Sequence, residues 1–346
     1  MNSLSIYYFS GTGNARRVAK WIEQKANERN IPTSNNDIAA LEQRTIPPLA
    51  EGQTVGIVGP THGFNFPPIL VYFIFRLPRS SHKNHAFLVN TRAGLKLGKY
   101  FLPGASGAAL LFAALVLVLK GYKVVGMRSI DLPSNWISLH PGLKEKVVVS
   151  ITERCQRITY QLADTLLSGK RCYRAFRDIV QDLLLTPISL LYFIMGRFII
   201  AKSFYSSSAC DSCNLCIKTC PIKAIKEVNG QPFWSYRCES CMRCMNTCPK
   251  KAIQTAHGFI FGAIYAIYAT IIAFLYHLLA PYVDVTNPSL GVSFLMFMVE
   301  SAIVLLLLIV GYRVMHYIKR ASIVKQLLEY TSLTRYHFWR RYYLKK

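Results

Sequence analysis

Acidic residues are scarce in this 346-residue sequence: 17 Asp and Glu stand against 41 Lys and Arg, for a formal charge of +24. An excess that large needs an anionic partner: lipid headgroups, an acidic protein, bound phosphates or nucleic acid. Charged residues of both signs make up only 17% of the chain, against 52% hydrophobic residues, which excludes a disordered polypeptide. The first ten residues lack the basic segment, apolar run and small-residue cleavage site of a secretory signal, so a cytoplasmic start is expected. Neither Gly-x-Gly-x-x-Gly nor a Lys-bearing P-loop follows the first strand, which weakens dinucleotide and ATP readings. No nucleophile with a general base stands out, so an oxidoreductase with a defined substrate is less secure than an electron-transfer protein. No nucleic-acid module appears either, and the basic residues track the flanks of long apolar runs, so nucleic acid is not expected as the partner.

What is present begins with an apolar strand, Leu4 to Phe9, then Ser10-Gly11-Thr12-Gly13-Asn14-Ala15 and a helical stretch from Arg16 to Glu28. A hydroxyl- and glycine-rich turn at a helix amino terminus is a phosphate cradle, because unpaired N–H groups point at the anion. Further strands are expected at Thr54–Val58, opening into Gly59–Pro68, at Ala86–Val89, ending in Asn90–Gly94, and from Tyr122 to Val125. Alternation with helices predicts an α/β doubly wound parallel sheet with ligand loops at the strand carboxyl ends. Tyr100–Leu119 carries no charge and is long enough to span a bilayer, but Gly98, Pro103, Gly104 and Gly107 break its first part. It is read as a crossover helix, and since Ala108–Leu119 shows no polar face, something apolar is expected to cover it.

Ser10-x-Thr12-Gly13-Asn14 directly after a first strand resembles the FMN phosphate loop of flavodoxins. The resemblance implies a flavodoxin-like fold in which three loops meet round one flavin. Cofactor contacts would then fall at Ser10, Thr12, Gly13, Asn14 and Ala15, at Thr61, His62, Gly63 and Phe64, and at Asn90, Thr91, Arg92, Ala93 and Gly94. Phe64 would stack on the isoalloxazine and Arg92 would stabilise the negative charge of reduced flavin. His62 and Phe64 serve equally well as loop packing, and no Trp or Tyr platform is evident. Ala15 stands where many flavodoxins carry Thr.

Of ten cysteines, eight form two quartets, Cys210-x2-Cys213-x2-Cys216-x3-Cys220-Pro and Cys238-x2-Cys241-x2-Cys244-x3-Cys248-Pro. Thiolates so spaced hold three corners of a [4Fe–4S] cubane, and the fourth crosses to the other cluster. One cluster would take Cys210, Cys213, Cys216 and Cys248, the other Cys238, Cys241, Cys244 and Cys220. Zinc ribbons use paired knuckles rather than two full quartets ending in proline, and disulfides do not suit a cytoplasmic chain. Ala224-Ile225 and Ala252-Ile253 occupy matching places after the quartets, as a pseudo-twofold ferredoxin domain requires. Cys155 and Cys172 read as ordinary thiols.

Over residues 1–254 the chain resembles the bacterial family that fuses a flavodoxin-fold domain to a two-cluster ferredoxin domain, a likeness shared by Leu132-Pro133-Ser134-Asn135-Trp136. It implies electron transfer between FMN and iron–sulfur centres.

Two apolar runs follow, Phe259–Ala280 without a formal charge and Val292–Tyr312 with only Glu300, each long enough to cross a bilayer as a helix. The connecting Pro281–Gly291 holds Asp284 and no Lys or Arg, whereas Lys250, Lys251, Arg313, Lys319, Arg320 and the tail to Lys346 flank the pair. The positive-inside rule places both ends in the cytoplasm and Asn287 outside. Leu183–Ile200, with Pro187 and Arg197, is expected to be a buried or interfacial helix. Lys170, Arg171, Arg174 and Arg177 before it would touch anionic headgroups. Glu300 is expected to bond Tyr268 or Thr270.

The organisation expected is a flavodoxin-like domain (1–165), connecting helices (166–204), a ferredoxin domain (205–256), a transmembrane hairpin (257–318) and a basic tail (319–346). Together these features predict an electron-transfer flavoprotein anchored in the inner (cytoplasmic) membrane of a bacterium, its redox domains in the cytoplasm. The alternative is an iron–sulfur relay subunit whose flavodoxin fold is an empty docking scaffold. Donor, acceptor and redox partner are not legible in the sequence.

Overall fold

The computed structural model describes residues 1–41, 46–282 and 288–339. Asp284, Asn287 and the tail residues Arg340, Arg341, Lys345 and Lys346 therefore lie outside the described residues. The described residues divide into two compact units, Met1–Ile194 with Cys241–Asn246, and Met195–Ser240 with those from Thr247 to Trp339.

In the first unit, β1 (Ser3–Tyr8), α1 (Asn14–Asn27), β2 (Thr33–Asp37), β3 (Gln53–Pro60), α2 (Pro68–Arg76), β4 (His85–Leu97), β5 (Tyr100–Leu102), α3 (Ala109–Leu119), β6 (Lys123–Pro133), α4 (Glu145–Leu167) and α5 (Ile179–Leu191) follow in order. The sheet runs β2-β1-β3-β4-β6, all parallel, with β5 an antiparallel hairpin partner of β4. Counting parallel strands, this is the flavodoxin-like order 2-1-3-4-5, whose ligand crevice lies where the order reverses between β1 and β3. β2 is a polar edge strand, Thr-Ser-Asn-Asn-Asp, with no apolar alternation to announce it; Asn36 Nδ2 donates to the Ile6 carbonyl at 3.3 Å and supplies part of its tie to β1.

One expectation needs correction. Asn90–Gly94 is not a loop: β4 continues through it to Leu97, because β6 extends alongside and pairs Asn90 with Ser129 through Gly94 with Pro133. The crossover helix α3 forms as expected, and Phe112, Leu115, Val118 and Leu119 on its outer face are exposed.

The core on one side of the sheet joins Ile6, Val18, Ile22, Phe87, Val89, Ile151, Leu162 and Leu166. Phe87, near the start of β4, fills the volume that a side chain at Gly56 would need; a Cβ on Gly56 would stand 2.3 Å from its ring.

The helix Arg174–Ala201 carries α5, a π-helical turn at Tyr192–Gly196 and α6 (Arg197–Ala201), and the boundary between units falls within it. It is not buried as one reading had it: Val180, Leu183, Leu184 and Ile188 are exposed.

In the second unit, β7 (Phe204–Ser206) pairs with β10 (Ile253–Thr255), and β8 (Ile225–Val228) pairs with β9 (Gln231–Trp234), all antiparallel. Short helices α7 (Leu215–Lys218) and α8 (Arg243–Thr247) lie within the quartets, α8 as far as Asn246 belonging to the first unit. α9 (His257–Ile267), a π-helical turn and α10 (Ala273–Leu279) make one apolar helix, and α11 (Leu290–Ile318) another. α12 (Ser322–Tyr330) follows, its Leu328 packing with Tyr205, Tyr312 and Met315. Ile267 and Ile272 meet Val304 and Leu308 between the two apolar helices. Glu300 accepts from the hydroxyls of Tyr268, at 3.5 Å, and Tyr276, whereas Thr270 bonds its own helix at the Ala266 carbonyl. Among the described residues three helices are long and apolar enough to cross a membrane: Arg174–Ala201, His257–Leu279 and Leu290–Ile318.

Phe87→Ala should empty the volume opposite Gly56 and cost about 3–5 kcal/mol, as buried Phe truncations do. A lowered urea midpoint of tryptophan fluorescence checks it, and an unchanged midpoint would show that the site collapses freely.

Candidate functional sites: a phosphate cradle and a ring of thiols

The cradle lies at the carboxyl end of β1. Gly13 takes φ +104°, a conformation that favours glycine, and it precedes α1 with no side-chain cap on the helix. The first N–H groups of α1 therefore have neither intrahelical acceptors nor a capping oxygen. Space beside Gly13 is open, with no heavy atom within 4 Å of an added Cβ. Ser10 Oγ accepts from Gly13 N at 3.0 Å, and Asn14 Nδ2 donates to the Pro133 carbonyl at 2.8 Å, fixing the turn to the end of β6. Thr12 Oγ1 accepts from Asn135 Nδ2 at 2.8 Å, which leaves its hydroxyl proton to donate. Donors of this kind at a helix amino terminus suit a phosphate monoester.

The second predicted segment is a tight turn. Gly63 and Phe64 have φ +51° and +65°, and His62 and Asn65 exchange backbone hydrogen bonds of 2.8 and 3.1 Å. Thr61 N bonds the Thr91 carbonyl at 2.8 Å and Asn90 Nδ2 donates to Thr61 Oγ1 at 2.8 Å, so the second and third segments meet at the sheet edge. Among the described residues the buried atoms Asn90 Oδ1 and Asn135 Oδ1 have no hydrogen-bond partner; buried acceptors are normally satisfied, and a bound N–H or O–H donor would do so here.

The Phe64 backbone packs on Gly107. Rings from outside the predicted loops pack on this turn: the His62 and Trp136 rings lie 5.4 Å apart, Trp136 and Tyr192 5.7 Å, and a Cβ on Gly63 would strike the Tyr192 ring. Trp136 stood in the sequence as part of a family likeness, but nothing in the sequence linked Tyr192 to this turn.

Arg92 does not stand ready for an anion. Its buried guanidinium donates through Nε to Asp131 at 2.5 Å and through Nη1 to Asp178 at 2.7 Å and Ser106 at 3.2 Å. Burial works against its charge, but the two carboxylates outweigh it and hold the pKa above the usual arginine value. Asp178 lies immediately before α5, and Asp182 on α5 accepts from Gly107 N at 2.9 Å, so this network pins the apolar helix to its own unit.

Cys241–Asn246 also belongs to the first unit and rests on the cradle. Arg243 Nε and Nη2 each donate at 2.9 Å, to the Gly11 and Ser10 carbonyls, and the Cys241 carbonyl would lie 2.4 Å from a Cβ on Gly11. A glycine at 11 is thus required by close approach. Quartet spacing carries no signal for this role of Arg243.

The cysteine segments repeat in geometry as in sequence. Ser212 and Ser240, Asn214 and Met242, Lys223 and Lys251 form three counterpart pairs, all with positive φ. Ala224 N donates to Cys220 Sγ at 3.2 Å and its counterpart Ala252 N to Cys248 Sγ at 3.3 Å. In the second unit a cavity is lined by Cys210, Cys213, Cys216 and Cys248, with Pro232, Pro249 and Ile253. Burial first, then the neighbouring thiols Cys210 and Cys248, push the Cys216 thiol up to about 11. Among the described residues no three His, Cys, Asp or Glu side chains converge as one metal ion requires; a cubane takes one thiolate at each of four iron corners, and thiols spread round a cavity suit that shape. Of the other set, Cys241 and Cys244 lie in the first unit and Cys220 and Cys238 in the second. Cys155 is buried and donates to the Asp131 carbonyl at 3.2 Å, its pKa raised to about 12 by burial, which makes it a core thiol.

A sequence profile of a 4Fe-4S dicluster domain matches residues 209–253. Solved structures similar to the chain include rubredoxin:oxygen oxidoreductase from Desulfovibrio gigas, with 13% identity and a TM-score of 0.32 over 49% of this chain and 37% of that one. Oxidised flavodoxin 1 from Bacillus cereus has 17% identity and a TM-score of 0.29 over 47% of this chain and 97% of its own. General stress protein 14 from Treponema denticola, in complex with FMN, has 12% identity and a TM-score of 0.32 over 47% and 99%. The chain thus spans just over a third of the length of the first of these. The flavodoxin-like assignment rests on the parallel strand order, and the iron–sulfur assignment on the matched profile. No curated protein matches the sequence.

Arg92→Met should leave the half-buried carboxylates of Asp131 and Asp178 without a counter-charge, at about 1–3 kcal/mol. The apparent melting temperature should fall markedly, whereas Arg92→Lys should lose less; equal losses would mean that shape rather than charge holds the network.

Proposed function

We propose that the chain is a membrane-anchored electron-transfer protein of bacterial type that binds FMN and two [4Fe–4S] clusters. The observation carrying this reading is the cavity ringed by Cys210, Cys213, Cys216 and Cys248, where a thiol of the second quartet joins three of the first. The equivalent exchange assigns Cys238, Cys241, Cys244 and Cys220 to the other cluster. Ser10, Thr12, Gly13, Asn14 and the first N–H groups of α1 would hold the FMN phosphate. The turn at Thr61–Phe64, with Trp136 and Tyr192 beside it, would face the ring system. When bound, a flavin exchanges one or two electrons and a cubane one, so the pair links two-electron and one-electron chemistry.

The helices His257–Leu279 and Leu290–Ile318 serve as a membrane hairpin, and the basic flanks put the redox domains on the cytoplasmic side. Arg174–Ala201 rests in the interface. At its foot an open cavity of about 570 Å3 is lined by Arg171, Arg174 and Arg177 with Tyr173 and Phe176. Arg128 nearby has its pKa lowered by burial and then by Arg174. Such a cationic, aromatic-edged hollow suits anionic headgroups.

Neutralisation of Arg92 by Asp131 and Asp178 favours a second reading, in which the flavodoxin fold is an empty scaffold beside an iron–sulfur relay. The visible spectrum of detergent-purified protein separates the two: flavin bands beside broad thiolate-to-iron absorption belong to the first, the broad absorption alone to the second.

Thr12→Val and Gly13→Val should weaken FMN binding, measured by quenching of flavin fluorescence, while iron stays near the roughly eight atoms per chain that two cubanes contain. Wild-type protein that takes up no FMN on reconstitution would leave only the relay reading. For topology, cysteine at the exposed Tyr282 should react with an impermeant maleimide in intact cells, and cysteine at the exposed Ser322 only after lysis. Labelling of both in intact cells, or release of the protein by carbonate, would overturn the hairpin.

A further inference from the structure

Two lysines are buried in the second unit where no carboxylate meets them. Lys202, 1% exposed, directly follows the apolar helix that ends at Ala201; Lys319, 3% exposed, directly follows the one that ends at Ile318. Lys202 Nζ donates to the Trp234 carbonyl at 2.5 Å, and Lys319 Nζ donates to Ser206 Oγ at 3.2 Å. Ser206 closes β7 and Trp234 closes β9, and these are counterpart positions in the two halves of the cysteine repeat. Two different apolar helices therefore deliver an ammonium to the same place in each half.

A desolvated ammonium is costly unless an opposite charge repays it. Among the described residues no ion pair includes either lysine. Packing alone does not account for both. Lys202 lies 4.5–5.3 Å from the centres of the Phe233, Tyr236 and Tyr312 rings, a cage that favours a cation, but among the described residues Lys319 has no such cage. Burial lowers both pKa values to about 8; Arg313 pushes Lys202 further down and Lys325 does so for Lys319. The groups acting in the other direction are Cys238 for Lys202 and Cys210 for Lys319, the first cysteines of the two quartets.

We propose that Lys202 and Lys319 are internal counter-cations of the two iron–sulfur clusters, Lys319 for the cluster that includes Cys210 and Lys202 for the cluster that includes Cys238. The assignment rests on the two-cluster reading. Four thiolates make each cubane site anionic, and one-electron reduction adds one more negative charge. A fixed cation in a site of low dielectric stabilises the reduced form more than the oxidised form and raises the potential, since net charge and local environment are what set it. The apolar helices then do more than anchor: their ends set the electron affinity of the clusters.

The test is an anaerobic redox titration of the full-length protein in detergent, followed by electron paramagnetic resonance, on Lys202→Met, Lys319→Met and the Lys→Arg variants. Each Met variant should lower the midpoint of one cluster, a different one in each case, by about 59 mV, which is a tenfold loss of electron affinity for a one-electron couple. Each Arg variant should restore most of the loss. Met variants with full iron content and wild-type midpoints would overturn the proposal, as would both shifting the same cluster alone. If the Met variants lose iron, Lys→Gln is compared with Lys→Arg, and equal midpoints for that pair likewise overturn it. Wild-type protein that holds no iron after reconstitution removes the two-cluster reading itself. Full iron with unshifted potentials removes only the role of the lysines.

Discussion

A thiol at the end of the second quartet has to reach the sulfurs of the first, and the pairing of β7 with β10 is what makes that closure. Ser207 N bonds the Ala252 carbonyl at 2.9 Å just beyond the ladder. Cys210 lies a few residues after one strand and Cys248 a few residues before the other, so the pairing brings them to one cavity. The pairing of β8 with β9 repeats the closure in the other half, with Ser235 N on the Ala224 carbonyl at 2.9 Å. Positive φ at matched positions turns the chain between cysteines, and backbone N–H groups donate to the fourth sulfur of each quartet. Spacing alone would not distribute the thiols this way without two short antiparallel ladders to hold the ends.

The same small domain is built into the helices that follow it. Tyr312 on α11 accepts from Trp234 N at 3.2 Å, and Tyr205 packs with Tyr312, Met315 and Leu328. Glu329 on α12 accepts from Ser208 N at 2.6 Å, shortly before the first cysteine. Helices that merely followed the domain would not need such contacts. Here the helix ends supply core side chains, hydrogen-bond partners and two buried cations to the domain that carries the cysteines.

In the first unit the corresponding constraint is the sheet edge where β1, β3 and β4 end. The open Gly13 turn, the tight turn at His62–Asn65 and the buried Asn90 and Asn135 all stand there because parallel strands end together on one side. What surrounds that edge is less expected. Tyr192 comes from just beyond α5, and Arg243 from between two cysteines of the second quartet, to brace the turns on which a flavin would rest. Arg92, which by position alone belongs to the site, is instead spent on Asp131 and Asp178 to hold α5 in place.

Local and repetitive features were legible in the sequence for a physical reason: they depend on residues close in the chain. The quartets, the Ser10–Asn14 turn, the alternation of strands with helices and the apolar lengths of the carboxyl-terminal helices are of this kind. Polar β2 escaped notice because it is made a strand by its neighbour β1 and not by its own side chains. The run Asn90–Gly94 looked like a loop because its partner, β6, is more than thirty residues away. For the same reason the particular contacts of Trp136, Tyr192, Arg243, Lys202 and Lys319 carried no local signal. An aromatic ring, an arginine or a lysine acquires a role only from what folding brings within a few ångströms of it, and for these five residues that was decided by tertiary structure alone.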